Sequence, residues 1–451
     1  MLRWLVIAPR NIRKLARLAL FVGCGLCSRG VLANGAFPAV SQLLGDPSDP
    51  AHLVLRSNFG LLVTHDHGQS WDSVCEAGLG YQNLEPAIAV LANGTTIAAL
   101  PNGIAHGPTE CTFGLAAGVS AYVADVARAP GGAVAVSVAI DEGVSQVWRS
   151  LDGGQAWRPW GAELSGLNAT TLDIAGDDGT LYVSGVAQTG TVKGVLARSA
   201  DGGKTWTRSD VPGANKLSAP YIAAIAADDA DTLYLRLSGS PGKLLVTHDA
   251  GGHWSAVLDF SGPLDGFALS PDGRYALASG RLDGVWRAST SDLAFARVSC
   301  SKLRCLSWTS AGLFACADEF QAGFLVGESM DSGVSFEPRL HLSCIRGPLA
   351  CNSDSSVARS CDAGWPALSE VLGSDCANAV FTPHDDCSDG GSAGANAAAG
   401  ANTGAAGSSA KTELRPGAGC SLSAPPDARS VGLIALATLF CAIARRRGAR
   451  E

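Results

Sequence analysis

A short motif that recurs five times constrains the fold of this chain more than any other feature. In each copy an aspartate is followed two positions later by glycine and five positions later by Trp or Phe. Such regular recurrence is the signature of a repeat architecture, in which each copy marks one structural unit. The copies are Asp66, Gly68 and Trp71; Asp152, Gly154 and Trp157; Asp201, Gly203 and Trp206; Asp249, Gly251 and Trp254; and Asp331, Gly333 and Phe336.

The spacing of the copies predicts two further, degenerate units. Two of the four gaps between successive aspartates span roughly 50 residues, and the other two are nearly twice as long, so one unit is missing from each long gap. The segments Ile104–Phe113 and Val285–Phe295 fill these gaps, since each contains an apolar run, a polar turn and an aromatic residue. Seven units result.

Within a unit, the sequence predicts four short strands. Pro220–Asp228 is a short apolar run that ends in a turn, Thr232–Leu237 alternates polar and apolar residues, and Lys243–Thr247 leads into the motif. A fourth strand follows each Trp. Seven four-stranded units over residues 34–340 predict an all-β, seven-bladed β-propeller, with six or eight blades as alternatives.

The residue types of the motif predict a structural role. An Asp in a tight turn accepts hydrogen bonds from nearby backbone N–H groups, and Gly adopts backbone angles that other residues resist. The Trp on the next strand would then be buried across the hairpin. We therefore expect the fifteen motif residues to stabilise the blades rather than to form an active site.

The motif resembles the Asp-box, or bacterial neuraminidase repeat, of sialidases, sortilin-type receptors and photosystem II assembly factors. The resemblance covers about residues 38–340 and implies a β-propeller. It does not specify a function, because these families hydrolyse glycans, bind peptides or assist assembly.

The sequence leaves enzymatic activity uncertain and favours its absence. Sialidases of this fold carry an Arg-Ile-Pro type motif before the first repeat, whereas Ala36–Gln42 contains no arginine and Arg56, on the second strand, is the only arginine between residue 34 and the first motif. Another glycoside hydrolase would need two carboxyl groups on the central face. The candidates by residue type are Glu85, Glu142, Asp318 and Glu319. The chain contains neither a Gly-x-Ser-x-Gly elbow nor a P-loop, and we expect no cofactor.

A cluster of metal-ligand types occurs at His65-Asp66-His67. Asp66 already belongs to the motif, and neighbouring turn residues point away from one another. We therefore expect no metal site here.

The chain contains 14 cysteines, and an even number in an exported chain favours disulfides. Zinc ligation is disfavoured because the cysteines between residues 34 and 419 form no CxxC pair. Cys75 and Cys111 are placed to join neighbouring blades, and Cys305 and Cys316 flank a predicted hairpin. Residues 341–387 are rich in cysteine and include a short amphipathic helix that begins at Trp365, so we expect a disulfide-pinned cap on the last blade.

The amino-terminal residues 1–33 have the features of a signal peptide. A basic start precedes the apolar run Leu18–Cys27, and Ala33 suits cleavage before Asn34. A lipoprotein signal with Cys24 at its cleavage site is an alternative. Residues 388–419 are a Gly-, Ala- and Ser-rich linker that cannot form a core.

The carboxy-terminal residues 420–451 resemble the myxobacterial sorting signal, with a Gly-Cys pair, the apolar stretch Val431–Ala444 and an arginine cluster. The resemblance implies processing and lipid attachment at Cys420 and removal of the apolar helix. An ordinary carboxy-terminal membrane anchor is the alternative.

The net charge is −8 although both ends are basic, so the region between them is more acidic still. Such a body repels nucleic acid, which excludes a nucleic-acid partner. The sequence thus predicts an exported, monomeric propeller, attached to the membrane through its carboxy-terminal segment, that binds a glycan, a peptide or a partner protein of the envelope. A cell-surface glycoside hydrolase and an assembly or sorting factor for envelope proteins are the alternatives.

Overall fold

The computed structural model describes residues 37–132, 135–176, 179–188, 190, 192–373 and 375–379. The predicted signal peptide, linker and carboxy-terminal segment, with Ala33 and Cys420, lie outside these residues. Among the helices that are described, none has both the length and the apolar character needed to cross a membrane.

The chain folds into a seven-bladed β-propeller, as predicted. Each blade is an antiparallel sheet whose four main strands pair in chain order; in blade 3 a short fifth strand also pairs with the third strand. Blade 1 contains β1 (Val40–Gly45), β2 (Leu53–Ser57), β3 (Gly60–Thr64) and β4 (Trp71–Cys75); blade 2 contains β5 (Ile88–Val90), β6 (Thr96–Leu100), β7 (Gly103–Thr109) and β8 (Thr112–Leu115). Blade 3 contains β9 (Tyr122–Arg128), β10 (Ala135–Asp141), β11 (Val144–Ser150), β12 (Arg158–Pro159) and β13 (Leu164–Ser165), and blade 4 contains β14 (Leu167–Ile174), β15 (Leu181–Ala187), β16 (Gly194–Ser199) and β17 (Thr207–Val211).

The remaining blades follow the same order. Blade 5 contains β18 (Pro220–Ile225), β19 (Leu233–Leu237), β20 (Lys243–Thr247) and β21 (Ser255–Asp259), and blade 6 contains β22 (Gly266–Leu269), β23 (Tyr275–Gly280), β24 (Gly284–Ser289) and β25 (Ala296–Ser299). Blade 7 contains β26 (Leu303–Thr309), β27 (Gly312–Ala317), β28 (Val326–Ser329) and β29 (Glu337–Leu340). The short helices are α1 (Glu76–Leu79), α2 (Glu319–Ala322), α3 (Ser356–Cys361) and α4 (Trp365–Leu372), with 3₁₀ turns at Leu342–Cys344 and Cys376–Asn378.

The hydrophobic core lies between the blades. Successive side chains of a strand point to opposite faces of its sheet. On β2, Leu53 and Leu55 therefore pack towards blade 7, whereas Val54 packs towards blade 2. All three are fully buried. Each blade is thus covered on both faces by its neighbours.

The cysteine-rich segment closes the ring on blades 1 and 2. A fifth strand, β30 (Ile345–Pro348), pairs in parallel with β4 at the outer edge of blade 1. Blade 7 is the neighbour of blade 1 in the ring. The chain that leaves β29 therefore lies close to β4, the edge strand of blade 1, whose outer side would otherwise be unpaired. The predicted cysteine-rich cap is present. Its residues Leu342 and Leu372 share a core with blade 7, while its strand and its disulfides extend it to blades 1 and 2, and the helix predicted from Trp365 is present as α4.

The disulfides follow this path. Cys75 bonds to Cys361 and Cys111 bonds to Cys351, so the expected bond between Cys75 and Cys111 is wrong. The cap runs along both blades, so Cys75 and Cys111 each lie beside a cysteine of the cap. Cys305 bonds to Cys316 across the β26–β27 hairpin, and Cys344 bonds to Cys376 within the cap.

Every complete repeat motif is held by the same short hydrogen bonds. The aspartate accepts the backbone N–H of the residue four positions later, at 2.8 to 3.0 Å. A Ser or Thr two positions before the aspartate donates its hydroxyl to the carboxylate and accepts the N–H of the motif glycine. The sequence analysis missed this hydroxyl, although the residue type recurs in all five copies. The hydroxyl residues are Thr64, Ser150, Ser199, Thr247 and Ser329.

The motif aromatics are buried unequally. Trp71 and Trp157 are 0% and 2% exposed, and their indole N–H groups donate to the carbonyls of Gly68 and Gly154. Trp206 and Trp254 are only half-buried, so the prediction that every motif aromatic is buried was too broad. Burial requires further chain over the outer edge: β30 covers Trp71, and the backbone around Ala117 pairs with Trp157. Phe336 is also buried.

Replacing Trp71 by Ala should lower the free energy of unfolding by about 3–5 kcal/mol, because the substitution leaves a cavity under β30. The matched replacement Trp206→Ala should cost much less, since that ring already contacts solvent. Denaturant unfolding followed by circular dichroism measures both. Equal losses would contradict the assigned role of β30.

The two bonds between the propeller and the cap should act together. Replacing the Cys75–Cys361 pair by alanine should cost about 2–4 kcal/mol, because the Cys111–Cys351 bond still restricts the unfolded chain. Removing both pairs frees a loop of more than two hundred residues and should cost more than the sum of the single losses. Urea unfolding of the three variants tests this, and strict additivity would argue against the shared constraint.

Candidate functional site

A polar cavity of about 570 Å³ lies at the centre of the propeller. The first strands of the blades, or the residues just before them, surround it. Arg56 and Arg236 reach it from the second strands of blades 1 and 5. A cavity of this size is within the usual range for small-molecule sites. Its other polar and aromatic lining residues are Ser41, Gln42, Glu85, Asp125, Thr170, Thr171, Tyr221, Asp265, Phe267, Ser307 and Trp308.

Arg56 and Arg236 occupy equivalent positions on the second strands of blades 1 and 5. On each strand a leucine pairs with the hydroxyl residue of the motif, and the arginine lies three residues after that leucine. Arg56 donates to Ser41 Oγ at 3.0 Å and to the Pro86 carbonyl at 2.8 Å. Arg236 donates to the Leu264 carbonyl at 3.0 Å. These are neutral acceptors, and within the described part of the chain neither guanidinium has a carboxylate oxygen within ion-pair distance.

Burial lowers the pKa of both arginines, and the charge of Arg236 adds to the lowering of the pKa of Arg56. The two positive charges therefore influence one another across the cavity. Arg236 also lies over the ring of Tyr221, with its guanidinium carbon 5.1 Å from the ring centroid. The arginine heads are thus positioned by carbonyls and an aromatic face, and their charges remain available to an anion.

Two carboxyl groups of blades 3 and 4 have raised pKa values. Burial raises the pKa of Asp125 to about 7 and that of Asp173 to about 6, and the charge of Asp173 raises the pKa of Asp125 further. Asp125 accepts the backbone N–H of Leu172 in the next blade at 3.0 Å. Because Asp125 is partly protonated near neutral pH, the cavity is more positive than its residue types imply.

Several other lining residues join neighbouring blades. Thr171 Oγ1 accepts the N–H of Ile222 in blade 5 at 2.9 Å. Gln42 donates its side-chain amide to the carbonyl of Ile88 in blade 2 at 3.2 Å. Like Asp125, these polar side chains satisfy backbone groups where two first strands approach each other. They stabilise the ring. The two arginines form no direct ion pair among the described residues, although the charges of Glu85 and Asp265 in the lining partly offset the lowering of their pKa values.

The repeat motifs lie away from this cavity. All five sit at turns between the third and fourth strands, and none of their residues lines it. In the His65-Asp66-His67 cluster, His65 contacts Glu110 of blade 2. Glu110 was not predicted from the sequence as a site residue.

The carboxylates predicted for a hydrolase are not brought together. Glu85 lines the cavity and accepts a hydrogen bond from Ser41 at 2.8 Å. Glu142 lies in the exposed turn between β10 and β11. Asp318 caps α2, and Glu319 is buried beside the 3₁₀ turn that follows β29.

Sequence reasoning missed Asp125, Asp173 and Arg236. Asp125 and Asp173 each stand between apolar residues on the first strand of a blade. Because first strands surround the cavity, this pattern could have identified them. The Leu-Arg pair shared by β2 and β19 could have identified Arg236 together with Arg56.

No protein-family model and no curated protein matches this chain. Among solved structures, hydrazine synthase of Kuenenia stuttgartiensis is 12% identical, with a TM-score of 0.48 over 64% of this chain and 95% of that chain. The extracellular domain of the one-component system BT4673 from B. thetaiotaomicron is 15% identical, with a TM-score of 0.44 over 62% of this chain and 37% of that chain. The Cps50 (Swd1) β-propeller of Myceliophteria thermophila is 9% identical, with a TM-score of 0.44 over 62% and 93% of the two chains. At these values the likeness carries no information about activity or ligands.

The raised pKa values predict that stability falls as pH rises. The folded state holds more protons than the unfolded chain between the ordinary Asp pKa near 4 and the folded values of about 6 and 7. Unfolding free energy should therefore decline from pH 5 to pH 8. Asp173→Asn removes one buried charge and lowers the pKa of Asp125, so it should flatten this decline and stabilise the protein at pH 8.

Urea unfolding at pH 5, 6.5 and 8 measures the effect, with Asp141→Asn at the exposed end of β10 as the control. A pH profile for Asp173→Asn that parallels the wild type would show that Asp173 does not carry the dependence.

Proposed function

We propose that this protein is a surface-displayed binding module whose central cavity takes an acidic glycan. The observation that carries the proposal is the pair of half-buried arginines, Arg56 and Arg236, which face one cavity and have no direct carboxylate contact among the described residues. Burying a charge costs free energy unless an opposite charge or strong hydrogen bonds compensate it. A ligand carboxylate would supply that compensation with charge-assisted, two-pronged hydrogen bonds.

The remaining lining supports a sugar as the carrier of the carboxylate. Tyr221, Phe267 and Trp308 offer flat apolar surfaces for sugar rings, while Thr170 and Ser307 provide hydroxyl groups for hydrogen bonding. A lining with a few polar groups beside aromatic rings is typical of small-ligand sites. The rigid ring of first strands holds these groups before the ligand arrives, which lowers the entropic cost of binding.

Export and surface attachment are part of the same proposal. The disulfides between propeller and cap are typical of proteins that fold in an oxidising compartment. Residues 1–33, with cleavage after Ala33, would direct export. Residues 388–419 would connect the propeller to the carboxy-terminal segment, and processing at Cys420 would attach the protein to the envelope, so that the cavity is presented outside the cell.

A glycoside hydrolase is the second candidate, favoured by Asp125 and Asp173. A carboxyl group with a pKa of about 7 is protonated enough to serve as a general acid near neutral pH, and a second carboxyl group is its electrostatic neighbour. Both oxygens of Asp125, however, already accept backbone N–H groups, from Val126 and Leu172. This engagement favours the structural role and therefore the binding module.

A glycan array probed with the full-length chain should show retention of uronic- or sialic-acid-containing oligosaccharides over their neutral counterparts. Arg236→Gln should weaken binding of the best ligand about 10- to 100-fold in calorimetric titration, because a charge-assisted pair is lost. The exposed Arg297→Gln on β25 is the matched control and should bind as the wild type does.

Equal affinity of wild type and Arg236→Gln, or a preference for neutral sugars, would contradict the proposed ligand. A reducing-end assay on the same oligosaccharides separates the two candidates. Turnover that is lost in Asp173→Asn would establish the hydrolase instead.

A further inference from the structure

Two histidines and a glutamate meet at the junction of blades 1 and 2, on the face of the propeller that carries the motif turns. His52 immediately precedes β2, His65 follows β3, and Glu110 lies in the turn between β7 and β8. One carboxylate oxygen of Glu110 is 2.7 Å from His52 Nε2, and the other is 2.8 Å from His65 Nε2. The two imidazole rings stack, with centroids 4.7 Å apart. One ligand atom from each residue lies within 4.8 Å of the others.

The environment of His52 matches that of a metal ligand. Its Nδ1 faces Asp46 Oδ2 at 3.3 Å, and both side chains are at least 95% buried. Asp46 is fixed in turn by the backbone N–H and the hydroxyl of Ser48. With Asp46 accepting the Nδ1 proton, Nε2 is the ring nitrogen that would bind a metal ion on the Glu110 side. Histidines that bind metals are commonly oriented by a carboxylate in this way.

The three groups could share a cation. In the structure each imidazole nitrogen lies at hydrogen-bond distance from one oxygen of Glu110, and a bound metal ion would replace the protons shared at these two contacts. Two nitrogens and one carboxylate oxygen form a ligand set that suits Zn²⁺, which takes three protein ligands and keeps a fourth position for water in open sites. The His65 side chain is 56% exposed, so solvent reaches that fourth position.

The repeat itself shows that the fold does not require these residues. Thr180 and Thr232 occupy the position of His52 in blades 4 and 5, directly before the second strand. His248 occupies the position of His65 in blade 5, where its Nδ1 contacts the hydroxyl of Thr232 at 3.0 Å. In blade 5 the Thr232 hydroxyl also donates to Asp229, at 2.6 Å. Among the described residues, it is at the first junction that two histidines and a carboxylate place ligand atoms close enough to share a metal ion.

The position of Glu110 is also fixed. Its neighbour Cys111 is bonded to Cys351 of the cap, which ties the turn of blade 2 to the adjoining structure. Glu110 itself is 12% exposed. Two of the three groups are therefore held in place by burial or by an adjacent covalent bond, as a preformed metal site requires.

From this geometry we propose that His52, His65 and Glu110 form a zinc site with an open fourth position, oriented by Asp46. The site departs from the expectation of no metal at His65-Asp66-His67, because two of its three ligands come from elsewhere in the chain. It is separate from the central cavity and independent of the acidic-glycan proposal.

The test uses the full-length chain, freed of metal with a chelator and titrated with ZnCl₂ in a calorimeter. We expect one zinc ion per chain with micromolar or tighter affinity. His65→Ala and Glu110→Gln should each weaken binding at least about tenfold. His248→Ala, the matched residue of blade 5, should leave it unchanged. Because His65 is largely exposed, His65→Ala should keep the wild-type circular dichroism spectrum.

Titration with CoCl₂ supplies a second readout, since tetrahedral coordination gives intense visible absorption. The wild type should show this absorption, and Glu110→Gln should lose it. The proposal is overturned if zinc produces no saturable heat, if His65→Ala binds as tightly as the wild type, or if His248→Ala lowers the affinity equally.

Discussion

Burial of both faces of every sheet is the constraint on which the rest of this structure depends. On β2 the alternation of Leu53, Val54 and Leu55 sends side chains to both sides, and all three are fully buried. A sheet of this kind is stable only between two neighbours, so the blades must close into a ring. Blade 7 accordingly packs on blade 1, where Phe314 and Leu325 share a core with Val40. Each of these two blades takes its four antiparallel strands from one end of the propeller sequence, and the cap strand β30 and its disulfides reinforce the junction.

The blades could be predicted from the sequence because their marker is local. In each motif the aspartate bonds four residues ahead and the hydroxyl residue bonds both the aspartate and the glycine, so the whole device fits within eight residues. The spacing of the motifs also predicted the two blades in which the motif is degenerate. The partners of Cys75 and Cys111 could not be found in this way, because they are 286 and 240 residues away and meet only when the ring has closed. The candidate site was predicted no better: the cavity gathers two to five residues from each blade, and of these only Arg56, Glu85 and Cys305 had been singled out.

The central cavity is polar for a geometric reason. First strands converge on the axis, where their edges approach but do not pair as strands of one sheet. Side chains such as Gln42, Asp125 and Thr171 bond the backbone of the next blade and replace the missing ladder. This need explains much of the polarity without invoking a ligand. The bonding between blades does not explain Arg236. Its side chain donates to one carbonyl, that of Leu264, and a neutral donor could do so with a smaller loss of hydration free energy.

A repeat protein carries its own controls, and they separate folding from function at both proposed sites. A residue that stabilises the blade tends to recur from blade to blade, as the hydroxyls do in all five complete motifs. Val138, Ser184 and Cys316 stand where blades 1 and 5 have arginine, so a blade forms without a positive charge there. Thr180 and Thr232 likewise stand where blade 1 has His52. Some side chains occur in one or two blades only and lie close to other side chains of this kind. The stability of the blade does not explain them. The two arginines line one cavity at the axis, and His52 and His65 meet Glu110 at the first junction; the anion proposed for the first site and the zinc ion proposed for the second would account for them.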